Sequence, residues 1–127
     1  MNKKFLIDTD IIISHITIKN DRHSDLIKLM QGGICFTTVI NAVELFSAAE
    51  DDHQLEVIRK VLNVFKVLGL NSRYALKVSE FKNYVKNNRD ILFLIVAKSN
   101  NLPIITYKKS RYNVPGIEIF NPSEIGG

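Results

Sequence analysis

Residues 5–14 read FLIDTDIIIS, and two carboxylates, Asp8 and Asp10, interrupt an otherwise apolar run. A carboxylate among buried side chains is costly unless it is paired, hydrogen-bonded or bound to a cation. Two more acids share that setting. Glu44 stands between Val43 and Leu45 in VINAVELFSAA, and Asp90 directly precedes ILFLIVA. If Asp8, Glu44 and Asp90 converge, any two of them about 5 Å apart repel by roughly 3 kcal/mol at an effective dielectric near 20. A divalent cation among them removes that repulsion. Oxygen-only donors favour Mg²⁺ or Mn²⁺ over zinc. Such a centre activates a water and shields the charge of a phosphodiester.

Each acid also has a local reading. Asp8 ends a strand and could cap the next helix, but Thr9 and Asp10 are adequate caps, so Asp8 is the stronger candidate for chemistry. Asp10 is expected to be that helix's N-cap. Glu44 shares a helical stripe with Asn41 and Ser47, which suits either a solvent face or a cleft wall. Asp90 on its own is expected to be a helix N-cap, after a polar loop of Asn87, Asn88 and Arg89. AAEDDH (residues 48–53) gathers three carboxylates and a histidine, but reads as a solvated helix end followed by a helix start. His15, His23 and His53 lack ligand spacing and are expected at the surface.

These side chains need a frame. KKFLI is a short apolar strand, and TDIIISHITI opens a helix at Thr9 or Asp10. The stretch NDRHSDLIKLMQGG carries Leu26, Ile27, Leu29 and Met30 and stops at Gly32-Gly33. ICFT is a second strand, TTVINAVELFSAAE a helix, and HQLEVIRKVLNVFKVLGL a helix followed by a short strand around residues 67–70. SRYALKVSEFKNYVKN is expected to be a helix with Tyr74, Val78, Phe81 and Val85 on one face. RDILFLIVAKSNN is a helix buried on several sides. LPIITY and GIEIF supply the last strands. Alternating strands and helices predict a three-layer α/β/α sandwich with a mainly parallel central sheet. Such sheets bind ligands beyond the carboxyl ends of their strands, which is where Asp8 lies.

The chain has 127 residues, is 46% hydrophobic and 24% charged, and carries a formal net charge of +4. Those values fit one globular domain over residues 1–127. The single Cys35 cannot form an internal disulfide and reads as a small buried strand residue. No signal peptide is apparent and no apolar run reaches membrane-spanning length, so the expected location is the cytoplasm. Positive charge is uneven: residues 91–117 hold no acid but include Lys98, Lys108, Lys109 and Arg111. That edge is either a solvated basic face or a surface for a polyanion's phosphates.

Taken in order, FLIDTDIIIS, TTVINAVELFSAA and RDILFLIVAKSNNLPIITY…VPGIEIFNP resemble the PIN-domain family, and within it the VapC-type toxins of toxin–antitoxin pairs. The likeness runs over nearly the whole chain. It implies an α/β/α sandwich and a Mg²⁺- or Mn²⁺-dependent endoribonuclease held in check by an antitoxin protein, with a homodimer as the assembly. By motif, the metal-binding and catalytic acids correspond to Asp8, Glu44 and Asp90, with Thr9, Asp10 and Thr106 in support. Where family members commonly carry a further acid after the IIT strand, this sequence has Lys108 and Arg111 ahead of Tyr112. Those cations could contact RNA phosphate, or Lys108 could fill the metal position with its own charge. In the second case the chain would be a non-catalytic PIN-like module binding RNA or a protein. A phosphoacceptor receiver domain would need an Asp at the end of the third strand, and VLGLN has none.

Overall fold

The computed structural model describes residues 3–18 and 23–125. Residues 19–22, within the stretch read as leading into the second helix, lie outside them, as do the chain ends. The strands are β1 (Lys3–Ile7), β2 (Gly33–Thr38), β3 (Lys66–Leu68), β4 (Ile104–Ile105) and β5 (Ile119–Phe120). They form one sheet in the order β3-β2-β1-β4-β5, and every pairing is parallel. The helices are α1 (Thr9–Thr17), α2 (Asp25–Gly32), α3 (Val39–Ala48), α4 (Asp52–Leu62) and α5 (Asn88–Ser99).

The strand order reverses beside β1. The chain runs outward through β2 and β3, then returns to the other side of β1 as β4. Right-handed crossovers in opposite directions put their helices on opposite faces. Accordingly, Phe5, Ile7, Cys35 and Ile105 pack with residues of α1 to α4. Leu6 and Ile104 pack on the other face with α5, Phe81, Val85 and Tyr112. Successive strand residues thus alternate between two cores, as the two-residue period of a strand requires. Cys35 is buried as expected, and burial pushes its thiol up to about 12.

The expected helix after Asn71 is a 3-10 segment, Ser72–Glu80, instead of an α-helix. Tyr74, Val78, Phe81 and Val85 still share one face and pack on the sheet. The spacing of these four is α-helical, but only Tyr74 and Val78 lie in the 3-10 segment, and Phe81 and Val85 reach the core from the turn that follows it. The apolar faces of residues 24–30 and 74–85 are spent on the core, since Leu26, Leu29, Phe81 and Val85 are all buried. The Gly32-Gly33 stop falls where expected. Gly33 has extended backbone, and its need is for space: a Cβ there would lie 2.5 Å from the Lys3 carbonyl oxygen and 2.8 Å from the Phe5 ring. Among the described residues no helix is long and apolar enough to cross a membrane.

Candidate active site

Asp8 is the first residue beyond β1, at the carboxyl edge where the strand order reverses. Its backbone N–H still bonds the Ile105 carbonyl of β4 at 3.0 Å, so two central strands fix it. Its dihedrals are extended and its Oδ1 accepts the Thr9 N–H, so Asp8 is the N-cap of α1. The expectation that Asp10 caps this helix is therefore corrected. The strand conformation persists one residue past the last paired position, and helical backbone begins at Thr9. Capping and membership of the site, weighed above as alternatives for Asp8, coexist, because a carboxylate has acceptor sites left over. The Asp8 side chain is only 1% exposed.

The second acid arrives on α3. Thr38 caps this helix through a capping box in which Asn41 Oδ1 accepts from the Thr38 N–H and hydroxyl. With its oxygen engaged there, Asn41 turns its amide toward Asp8 Oδ1 at 3.3 Å and Thr9 Oγ1 at 2.9 Å. One turn further on, Glu44 meets Thr9, whose hydroxyl donates to Glu44 Oε1 at 2.6 Å. Of the stripe Asn41, Glu44 and Ser47, the first is buried, the second half-buried and the third exposed. Glu44 is thus on a cleft wall.

The third acid and its neighbour come from the first turn of α5. Asn87 is the N-cap, accepting the Asp90 N–H, and Asp90 is the third helical residue. Asp90 as N-cap is thereby corrected. Asn87 is the better cap because Asp90, three residues on, closes the turn by accepting the Asn87 amide at 2.9 Å. Asn88 and Arg89 belong to the helix and not to a loop. This orientation carries Arg89 into the middle of the acids. Its Nη2 donates to Asp8 Oδ1 at 2.6 Å and to Glu44 Oε1 at 2.7 Å. Its Nε donates to Glu44 Oε2 at 3.1 Å, and its Nη1 to Asp90 Oδ1 at 3.2 Å. Nη1 also donates to the Tyr112 hydroxyl, which donates in turn to Asp8 Oδ2 at 2.5 Å. The guanidinium carbon lies 5.0 Å from the centre of the Phe93 ring, one turn along α5.

Asp8, Glu44 and Asp90 do converge, then, but on a guanidinium. Sequence reasoning missed Arg89 and Tyr112. An arginine next to an acid reads as surface charge, and an aromatic after three cations reads as part of a loop. The signal that could have found Arg89 was the capping pair Asn87…Asp90, which moves the helix start upstream and turns the arginine inward. Tyr112 is fully buried, its ring 5.6 Å from that of Phe93.

The remaining candidates divide. Asp10 Oδ2 accepts from the Thr106 hydroxyl at 2.8 Å and the Tyr107 N–H at 3.0 Å, joining α1 to the end of β4. Among the described residues its Oδ1 is buried without a hydrogen-bond partner. Thr106 therefore holds a carboxylate, though one outside the central three. Arg111 Nε donates to Asp90 Oδ2 at 3.0 Å from an exposed position. Lys108 is exposed, and its side chain enters no ion pair or hydrogen bond among the described residues. The idea that Lys108 fills the cation position is corrected: Arg89 fills it. A lysine at the strand end points its long stem to water, whereas Arg89 starts from a helix turn facing the acids. AAEDDH is exposed apart from half-buried Ala49, as expected, with Asp51 capping α4. His23 and His53 are exposed, but His15 is half-buried, its Nδ1 2.7 Å from the Ser24 hydroxyl.

Electrostatics follow the contacts. Burial pulls the Glu44 carboxyl upward, but the hydrogen bonds from Arg89 and Thr9 outweigh it and hold the group below its usual range. Burial works against the Arg89 charge, yet Glu44 and Asp8 more than restore it, so the guanidinium stays charged. Burial, then the Asp8 charge, raise the Tyr112 phenol, which remains protonated. Three carboxylates face two guanidinium groups. In kind, this all-oxygen set suits a hard divalent cation. In arrangement it does not: among the described residues no three His, Cys, Asp or Glu side chains are gathered so as to hold a metal ion. Asp8 and Glu44 straddle one nitrogen of Arg89, while Asp90 faces a different nitrogen and Arg111.

A family model described as PIN domain matches residues 5–116. No curated protein matches the chain. Among solved structures, a DNA-bound VapBC from Salmonella typhimurium aligns with a TM-score of 0.75 at 20% identity, covering 96% of this chain and 99% of that one. VapBC-1 from nontypeable Haemophilus influenzae aligns at 0.75 and 19% identity, covering 94% and 98%. A toxin–antitoxin complex from Klebsiella pneumoniae aligns at 0.73 and 20% identity, covering 93% and 97%. At such identities the likeness is one of fold.

Proposed function

Because the chain belongs to the PIN-domain family, we propose that it is an endoribonuclease acting at the Asp8–Glu44–Asp90 edge of the sheet, and the toxin of a toxin–antitoxin pair. The observation that carries this reading is the convergence of three acids from β1, α3 and α5 at the point where the strand order reverses, the usual ligand position of such sheets. Asp8 and Asp90 are the buried members, and Glu44 opens to solvent. Arg111, exposed and paired with Asp90, and Lys108, exposed beyond the end of β4, suit the phosphates of a single strand. The cofactor in this reading is Mg²⁺ or Mn²⁺, and it requires Arg89 to leave the acids first. The fold likeness to VapBC structures supports an antitoxin partner. A groove lined by Ile13, Ile16, Leu45, Val57 and Ile58 offers such a partner an apolar seat. A homodimer and a cytoplasmic location complete the proposal.

The test is cleavage of single-stranded RNA by the full chain with Mg²⁺ or Mn²⁺. Cleavage is expected, and Asp8→Asn is expected to abolish it. Unchanged cleavage in Asp8→Asn, or in excess chelator, overturns the reading. One observation favours a second reading, a non-catalytic RNA- or protein-binding module: Arg89 already neutralises the acids. That reading expects RNA binding without cleavage in both the natural chain and Arg89→Ala.

A further inference from the structure

The guanidinium of Arg89 does what a metal would do in this site. It stands between Asp8 and Glu44 at 2.6 and 2.7 Å, contacts Asp90 at 3.2 Å, and leaves all three acids satisfied. Its side chain is 18% exposed, so the position is reachable from solvent but filled. With Arg89 in place the three acids and two arginines sum to one negative charge. Without it they sum to two, the charge that one divalent ion neutralises. The neighbours also favour retention: Tyr112, Thr9 and the Phe93 ring all contact the same guanidinium.

We infer that Arg89 is a built-in occupant of the cation position, an intramolecular plug whose guanidinium and a divalent metal exclude one another. The inference rests on the reading of the acid cluster as a cation site. The chain as translated is then a closed form, and metal gains access only when the first turn of α5 releases Arg89. Two cations cannot share the space between Asp8 and Glu44, so each lowers the other's occupancy.

The experiment is Mn²⁺ binding, followed by loss of the free-ion electron paramagnetic resonance signal, on chelator-washed full-length chain. Arg89→Ala is expected to bind one Mn²⁺ more tightly than the natural chain by roughly tenfold or more, within the range usual for coupled occupants. Adding Asp8→Asn to Arg89→Ala is expected to abolish that gain. Equal affinity in the natural chain and Arg89→Ala overturns the plug and leaves the nuclease proposal standing. Absence of binding in both overturns the plug and removes the metal basis of the nuclease proposal as well. If Arg89→Ala does not fold, Arg89→Met, which keeps the side chain's apolar stem, replaces it in the same titration: tighter Mn²⁺ binding than the natural chain supports the inference, and equal affinity or no binding in both overturns it.

Discussion

Removing the guanidinium should be felt first in stability. In Arg89→Ala, Asp8 and Glu44 lose the nitrogen between them, and their nearest oxygens lie within about 5.3 Å of each other because each lies 2.7 Å or less from that nitrogen. At an effective dielectric near 20 that is about 3 kcal/mol of repulsion. Glu44, with 37% of its side chain exposed, can turn to water and shed part of this. Asp8 and Asp90 cannot, at 1% and 3%. Breaking a buried pair by deleting one partner typically costs about 3–5 kcal/mol. The lower end applies here, since Asp8 keeps the Thr9 N–H, the Asn41 amide and the Tyr112 hydroxyl, and Asp90 keeps Asn87 and Arg111. For a chain of this length about 3 kcal/mol corresponds to a fall in Tm of about 12 °C. The assay is urea and thermal unfolding at pH 7 in excess chelator. The sign of the pH dependence is fixed too. Arg89 helps hold the Glu44 carboxyl below its usual range and the variant loses that hold, so the deficit should shrink from pH 7 toward pH 4. A deficit under about 1 kcal/mol at pH 7, or one that grows on acidification, would refute the claim that Arg89 holds three acids together.

Three further outcomes are expected. Glu44 has a folded-state pKa below its ordinary 4.5, so the unfolded chain binds its proton first as pH falls. The stabilisation from this group is complete above that value and lost as pH drops through the folded pKa, and acid unfolding below pH 4.5 should be shallower in Glu44→Gln. Tyr112→Phe keeps the buried ring but strips a hydroxyl from Asp8 Oδ2 and Arg89 Nη1, which should cost about 1–3 kcal/mol in urea unfolding with an unchanged m value. Gly33→Ala places a methyl 2.5 Å from a backbone oxygen of β1, and overpacking of that kind should cost about 1–3 kcal/mol, read as a lowered denaturation midpoint.

Much of the frame could be read from the chain because burial on two faces leaves a strong signal. FLI, ICF and PII are short and apolar, and the helices between them carry wider apolar faces, so a mainly parallel sheet between two helical layers follows from connection rules. Asp8 was legible for the same reason: a charge at the end of so apolar a strand needs a partner. The partner was not legible. Arg89 reaches the acids through the length of its own side chain and the phase of one helical turn, and moving the N-cap of α5 from Asp90 back to Asn87 changes which way that side chain points. Lys108 illustrates the opposite error. It stands in the motif position of an acid, but its stem leads to water, and motif alignment carries no information on direction.

The partners of Asp8 also set a condition on how the molecule is made. Asp8 and Tyr112 are separated by 104 positions and Asp8 and Arg89 by 81, so the two contacts that close the cluster on Asp8 span most of the polypeptide. No local segment can assemble it in advance. A nascent chain exposes Asp8 early, with only its cap and its strand neighbours for company, and the acids acquire their counter-charge and their hydroxyl only after α5 and the turn that bears Tyr112 have been synthesised and docked. Pairings this distant in sequence carry a large loop-closure entropy and slow folding. A product that stops before Tyr112 would lack the hydroxyl on Asp8 Oδ2, and the arrangement around Asp8 would stay unfinished.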